Sequence, residues 1–178
     1  MEHHVVTKTE AACRQVREAV LLYFEERDPI AIHTIVASAH QVLIDIGKRA
    51  GVQSIVKNPS ALEGQDVQSF LRLVNYPYNF FKHADRDPDG LIDVGPLLSF
   101  TADFIMDAIV MLQNLTGSIP LEAKVFWAWF VSLHHDQFDN LPKDGEIARL
   151  QSMGLGEWPL PKIHSFLAFS KIAEDAGA

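Results

Sequence analysis

Residues 28–51, DPIAIHTIVASAHQVLIDIGKRAG, decide how the rest of the chain is read. Asp28 is an N-cap acid, and Pro29 stands at the first helical position, where a missing N–H leaves no hydrogen bond unmade. Ile32, Ile35, Val36, Ala39, Val42, Leu43 and Ile46 then recur at helical spacing until Gly51 supplies a stop. This is a long amphipathic helix, and its neighbours on both sides follow the same period.

Upstream, Thr9 to about Glu26 carries Val16, Val20, Leu21 and Phe24 on one side. Downstream, Lys57-Asn58-Pro59-Ser60 reads as a linker, and Asp66–Val74 as a short helix with Val67, Phe70, Leu71 and Val74. Pro77 lacks an N–H and pushes Tyr76 out of the α region, so a new or sharply kinked helix is expected from about Tyr76 to Ala84. Pro96 opens an apolar helix to about Asn114, which Thr116-Gly117-Ser118 ends. Pro120 begins another, in which Val125–Val131 is apolar on all sides and suits either the core or a second subunit. Short and final helices follow near Glu146–Gln151 and Pro161–Glu174. No segment alternates over strand length, so the expectation is a single all-α domain over residues 1–178, an antiparallel bundle of six to seven helices.

Composition narrows the function classes. A chain of 178 residues, 48% hydrophobic and 21% charged, is long enough to bury roughly 70% of its unfolded surface. Its formal charge of −8 offers no general attraction to phosphate backbones. The single cysteine, Cys13, excludes an internal disulfide and fits a reducing compartment. Residues 1–6 lack a basic region followed by an apolar one, and the apolar run Val125–Leu133 is far short of the roughly 20 residues that cross a bilayer. A cytoplasmic protein without membrane association, and without a cofactor, is expected.

The chemistry-bearing stretch is Asn79-Phe80-Phe81-Lys82-His83-Ala84-Asp85-Arg86-Asp87-Pro88-Asp89-Gly90. Asn79 and His83 lie one helical turn apart, so the amide is placed to orient the imidazole, and histidine suits proton transfer near neutral pH. The plainer alternative is that His83 only terminates its helix. Asp85, Asp87, Asp89 and Asp93 around Gly90 match the front of an EF-hand calcium loop. The twelfth position, which requires a bidentate glutamate, is Pro96. A solvated β-turn at Asp87-Pro88-Asp89-Gly90 therefore stands beside divalent-cation binding in loop 85–93. His33 and His40, two turns apart on the second helix, suit structural bonds. His134-His135-Asp136 has no metal framework beside it, and Asp103 with Asp107 suggests a solvent stripe inside an apolar helix, with Asp107 facing a cleft as the alternative.

Residues 28–48 together with Asn79–Pro88 resemble an uncharacterised bacterial all-helical family and, more distantly, the HEPN superfamily. HEPN domains are small antiparallel helical units, commonly dimeric. Many are metal-independent ribonucleases or the toxin half of toxin–antitoxin pairs. Their signature is an arginine, a polar residue, three or four further residues and a histidine. Carried over, Asn79 is the polar residue and His83 the histidine, while the arginine falls on Tyr78. In that family the arginine stabilises phosphate charge, and a tyrosine supplies neither a permanent cation nor a bidentate fork. Lys82 or Arg86 are the available substitutes. The resemblance covers about residues 10–135, with a helical extension over about 142–175.

The resemblance implies a homodimer, through the aromatic helix or through the face carrying His83. With the motif degenerate, it points to a non-catalytic binding module whose cleft near Asn79 and His83 is lined by Tyr78, Lys82, Asp85 and Arg86. The ligand would be a nucleotide, RNA or another protein. The alternative is an RNase-like enzyme with His83 as acid or base, positioned by Asn79.

Overall fold

Among the described residues seven α-helices form: α1 (Lys8–Phe24), α2 (Pro29–Ala50), α3 (Val67–Lys82), α4 (Leu97–Thr116), α5 (Leu121–Leu133), α6 (Gly145–Ser152) and α7 (Leu160–Gly177). Single 3₁₀ turns lie at His135–Gln137 and Leu155–Glu157. This is a computed structural model that describes residues 5–58, 66–85, 87–137 and 144–177, with residues 172–177 described by backbone alone. No strand occurs among the described residues.

Local chemistry accounts for the helix ends. Thr7 and Glu10 form a reciprocal capping box: Glu10 N–H donates to Thr7 Oγ1 at 3.1 Å, and Thr7 N–H donates to Glu10 Oε2 at 2.7 Å. Asp28 Oδ1 accepts from the N–H groups of Ile30 and Ala31 at 2.8 and 3.2 Å, as its position before Pro29 predicts. Gly51 ends α2 in the left-handed region with φ 71°, and Gly117 does the same for α4 with φ 74°.

One boundary differs from the expectation. Pro77 lies inside α3, which runs unbroken from Val67 to Lys82 instead of restarting near Tyr76. Proline removes the N–H that Leu73's carbonyl would accept. Leu73 lies on the exposed side of the helix, so water can serve that carbonyl. Asn75 Nδ2 also donates to Leu71 O at 2.7 Å, adding a side-chain bond beside the proline.

Packing is centred on α2, which lies against α1 on one side and α4 on the other. α5 packs on α1, α4 and α6. The rings of Tyr23 and Phe24 meet Phe126 and Trp129 of α5 edge-on or tilted at 5.4–5.6 Å. Val125, Phe126, Trp129, Phe130 and Val131 are all buried within the chain. The all-round apolar character of α5 is thus largely spent on the core. Leu121 and Trp127 are only partly buried, so the outer side of α5 reaches the surface as well as the end of α3 that carries His83.

Helices α2 and α4 are long and apolar enough to cross a membrane by length and composition. They pack against each other, and 44% and 61% of their apolar windows are buried inside the protein, as in core helices. α3 is the outlier. Val74 is its only buried residue, and its main neighbour is α2.

Candidate functional site

The end of α3 brings together part of the expected constellation. His83 caps the helix with an extended backbone, φ −131° and ψ 117°, and its N–H donates to Asn79 O at 3.0 Å. Tyr76, Asn79, Phe80, His83, Asp85 and Asp87 line a surface hollow of about 460 Å³. The amide and imidazole side chains share no hydrogen bond here, so Asn79 does not hold the ring. Instead His83 Nδ1 faces Asp85 Oδ1 at 3.9 Å, both side chains being more than half exposed. Such a pair is charged only when the imidazole is protonated and contributes little in water.

The other expected binding residues divide. Tyr78 turns toward the core, and Lys82 Nζ sits 5.2 Å from its ring centroid. Both lie on a different side of α3 from the hollow. Arg86 lies outside the described residues. The described lining of the hollow therefore carries two carboxylates and no permanent cation.

The aspartate loop has the geometry of a turn. Gly90 N–H donates to Asp87 O at 3.2 Å, closing Asp87–Gly90, and the Asp87 carboxylate folds over Gly90 where a Cβ would stand. Asp93 Oδ1 accepts from Gly95 N–H at 2.9 Å, using one of its oxygens locally. Among the described residues, no group of three or more His, Cys, Asp or Glu side chains gathers as a metal site.

A second polar cluster lies between α2 and α4, where His40 makes the kind of structural bond expected of it, to a carboxylate the sequence did not connect with it. Asp107, expected on a solvent stripe, is 3% exposed. Its Oδ2 accepts from Ser54 Oγ at 2.5 Å, His40 Nε2 at 2.7 Å and Val56 N–H at 3.1 Å, and its Oδ1 accepts from Ile55 N–H at 2.9 Å. Ser54 Oγ in turn accepts from Lys57 N–H at 2.8 Å. One carboxylate thus clasps the loop that follows α2. Burial pushes the acid's pKa up, but the bond and charge of His40 and the bonds from Ile55 and Ser54 outweigh it and hold Asp107 below its ordinary value.

Ser, His and Asp invite comparison with a nucleophilic triad, but the wiring excludes that chemistry. The carboxylate, not the imidazole, is the central member. Ser54's proton goes to Asp107, and His40 Nε2 spends its own hydrogen on the same carboxylate, 3.3 Å from Ser54 Oγ. No basic lone pair faces the hydroxyl.

His33 is also fully buried, with its ring against Phe100 and Phe104. Thr101 Oγ1 donates to Leu97 O at 2.6 Å, so it accepts from His33 Nδ1 at 3.1 Å; that nitrogen carries the hydrogen. Burial, then the charge of Lys57 and that of His40, push the His33 pKa down to about 4. Lys57, whose ammonium lies 5.5 Å from the Phe104 centroid, is itself pushed down by burial, with Asp107 and Asp45 opposing. One signal for this cluster is present in the sequence: Asp107 is flanked by Ile105, Met106, Ala108 and Ile109.

Comparison with protein-family models, with curated proteins and with solved structures finds no match.

Proposed function

We propose that the chain is a HEPN-like, non-catalytic binding module of the cytoplasm, using the hollow at the C-terminal end of α3. The observation that carries this reading is the lining itself. Tyr76 and Phe80 give aromatic walls, Asn79 and His83 give hydrogen-bonding groups, and Asp85 with Asp87 give negative charge. Carboxylates beside aromatic faces suit a basic side chain or amine, which can form ion pairs and stack on a ring. They repel phosphate, so a protein segment bearing lysine or arginine is a better occupant than RNA or a nucleotide.

Calorimetry with an arginine-rich peptide and with an RNA oligonucleotide tests the reading. Binding of the peptide, weakened at least tenfold by Asp85→Asn with Asp87→Asn, is expected. RNA binding that survives those changes, with no peptide binding, overturns it.

One observation favours the RNase-like reading: the His83 side chain is 52% exposed at the mouth of the hollow, where a substrate can reach it. Metal-independent RNA cleavage abolished by His83→Ala would establish it. The absence of a permanent cation in the described lining ranks it second.

A further inference from the structure

The outer side of α4 carries a second concavity, separate from the hollow at the end of α3. It is a groove of about 270 Å³, walled by Phe100, Met106 and Val110 of α4, by Ile55 and Val56 of the clasped loop, and by Phe130 of α5. Two phenyl rings and a thioether make walls that adapt to an apolar guest. The volume lies near the small end of ligand pockets, roughly 300 Å³, so it suits a single ring or a short chain.

Charge at the groove selects the guest. Its lining includes two carboxylates, Asp103 and Asp107, one turn apart on α4, and they differ. Asp107 already serves four donors. Asp103 is exposed and makes no hydrogen bond or ion pair among the described residues. Partial burial pushes its pKa up, and the charge of His134 opposes that push only when the imidazole is protonated. Tyr23 feels this carboxylate: burial first, then the charge of Asp103, push its hydroxyl up to about 12. No lysine or arginine stands in the described lining. Lys57, next in the chain to Val56, holds its ammonium over Phe104 and acts on Asp107 and Asp45 instead. Gln137 completes the polar part of the lining with an amide whose carbonyl can accept an N–H.

We propose that this groove binds a small apolar amine, its body against Phe100, Met106 and Val110 and its ammonium on Asp103. The apolar walls supply affinity, and the unanswered carboxylate supplies the choice of sign. An acid of the same shape would meet two negative charges and no cation. The proposal is independent of the α3 hollow, which is read as taking a charged protein segment.

A ¹H–¹⁵N titration with phenethylamine, and with 3-phenylpropionate as an acid of like body, tests the groove. Phenethylamine is expected to saturate with a dissociation constant of about 1 mM or tighter, shifting Ile55, Val56 and residues 100–110. The acid should bind more weakly by about tenfold or more, and Asp103→Asn should weaken the amine by a similar factor. Asp85→Asn with Asp87→Asn should leave amine binding unchanged. Asp103→Lys should invert the order of the two probes, an outcome that a folding defect cannot produce. No saturation up to about 10 mM, equal binding of amine and acid, or amine binding indifferent to Asp103→Asn would each overturn the proposal. Saturable shifts at Tyr76–Asp87 alone would also overturn it, while leaving the reading of the hollow in place.

Discussion

The α2–α4 junction and the outer end of α3 hold the same residue types in opposite circumstances. At the junction, His33, His40 and Asp107 are buried, and Asp107 serves four donors. At the end of α3, His83 and Asp85 stand in water 3.9 Å apart, barely engaged with each other. Burial, not residue type, separates scaffold from site. A buried carboxylate that satisfies its donors holds a loop in place, whereas an exposed one is free for an outside partner.

The strongest way to break this contrast is to remove one acid from each region. Asp107→Ala strands the donors of Ser54, Ile55, Val56 and His40, and should cost about 3–5 kcal/mol in urea unfolding. Asp85→Ala should stay within about 0.5 kcal/mol of wild type. Equal effects from the two would dissolve the distinction.

The pH dependence sharpens it. His33 has a folded pKa of about 4 against an ordinary value of 6.5, so between those values the unfolded chain binds the proton that the folded chain refuses. Stability should therefore fall as pH drops from 6.5 toward 4, by about 3 kcal/mol over the window, and level off below it. His33→Gln should flatten that slope. Asp107, held below 3.8 in the fold, loses its contribution at lower pH still, as the solution falls from about 3.8 through its folded value. A slope unchanged by His33→Gln would mean that another group carries the protons.

The smallest expected effect concerns α3. Leu73→Lys touches neither the core nor a hydrogen bond, and should change unfolding free energy by less than about 0.5 kcal/mol. A large loss would show that the exposed face of α3 supports the fold.

The helices were legible because their punctuation is local: Asp28-Pro29, Gly51, Gly117 and the periodic apolar residues between them act within a few positions. Pro77 misled because its effect depends on where the freed carbonyl of Leu73 lies, which is a tertiary fact. Asn79 and His83 were correctly placed one turn apart, but spacing on a helix did not decide whether their side chains bond. Asp107 was missed for a related reason. Its four donors come from α2 and the loop after it, more than fifty residues earlier in the chain, and no periodicity encodes that meeting.

The most direct test is a ¹H–¹⁵N spectrum of the protein titrated with an arginine-rich peptide. The expected result is a set of saturable shifts confined to Tyr76–Asp87, with Ser54–Lys57 and Asp107 unmoved. Silence across Tyr76–Asp87, or shifts centred on the loop that Asp107 clasps, would contradict the assignment of site and scaffold.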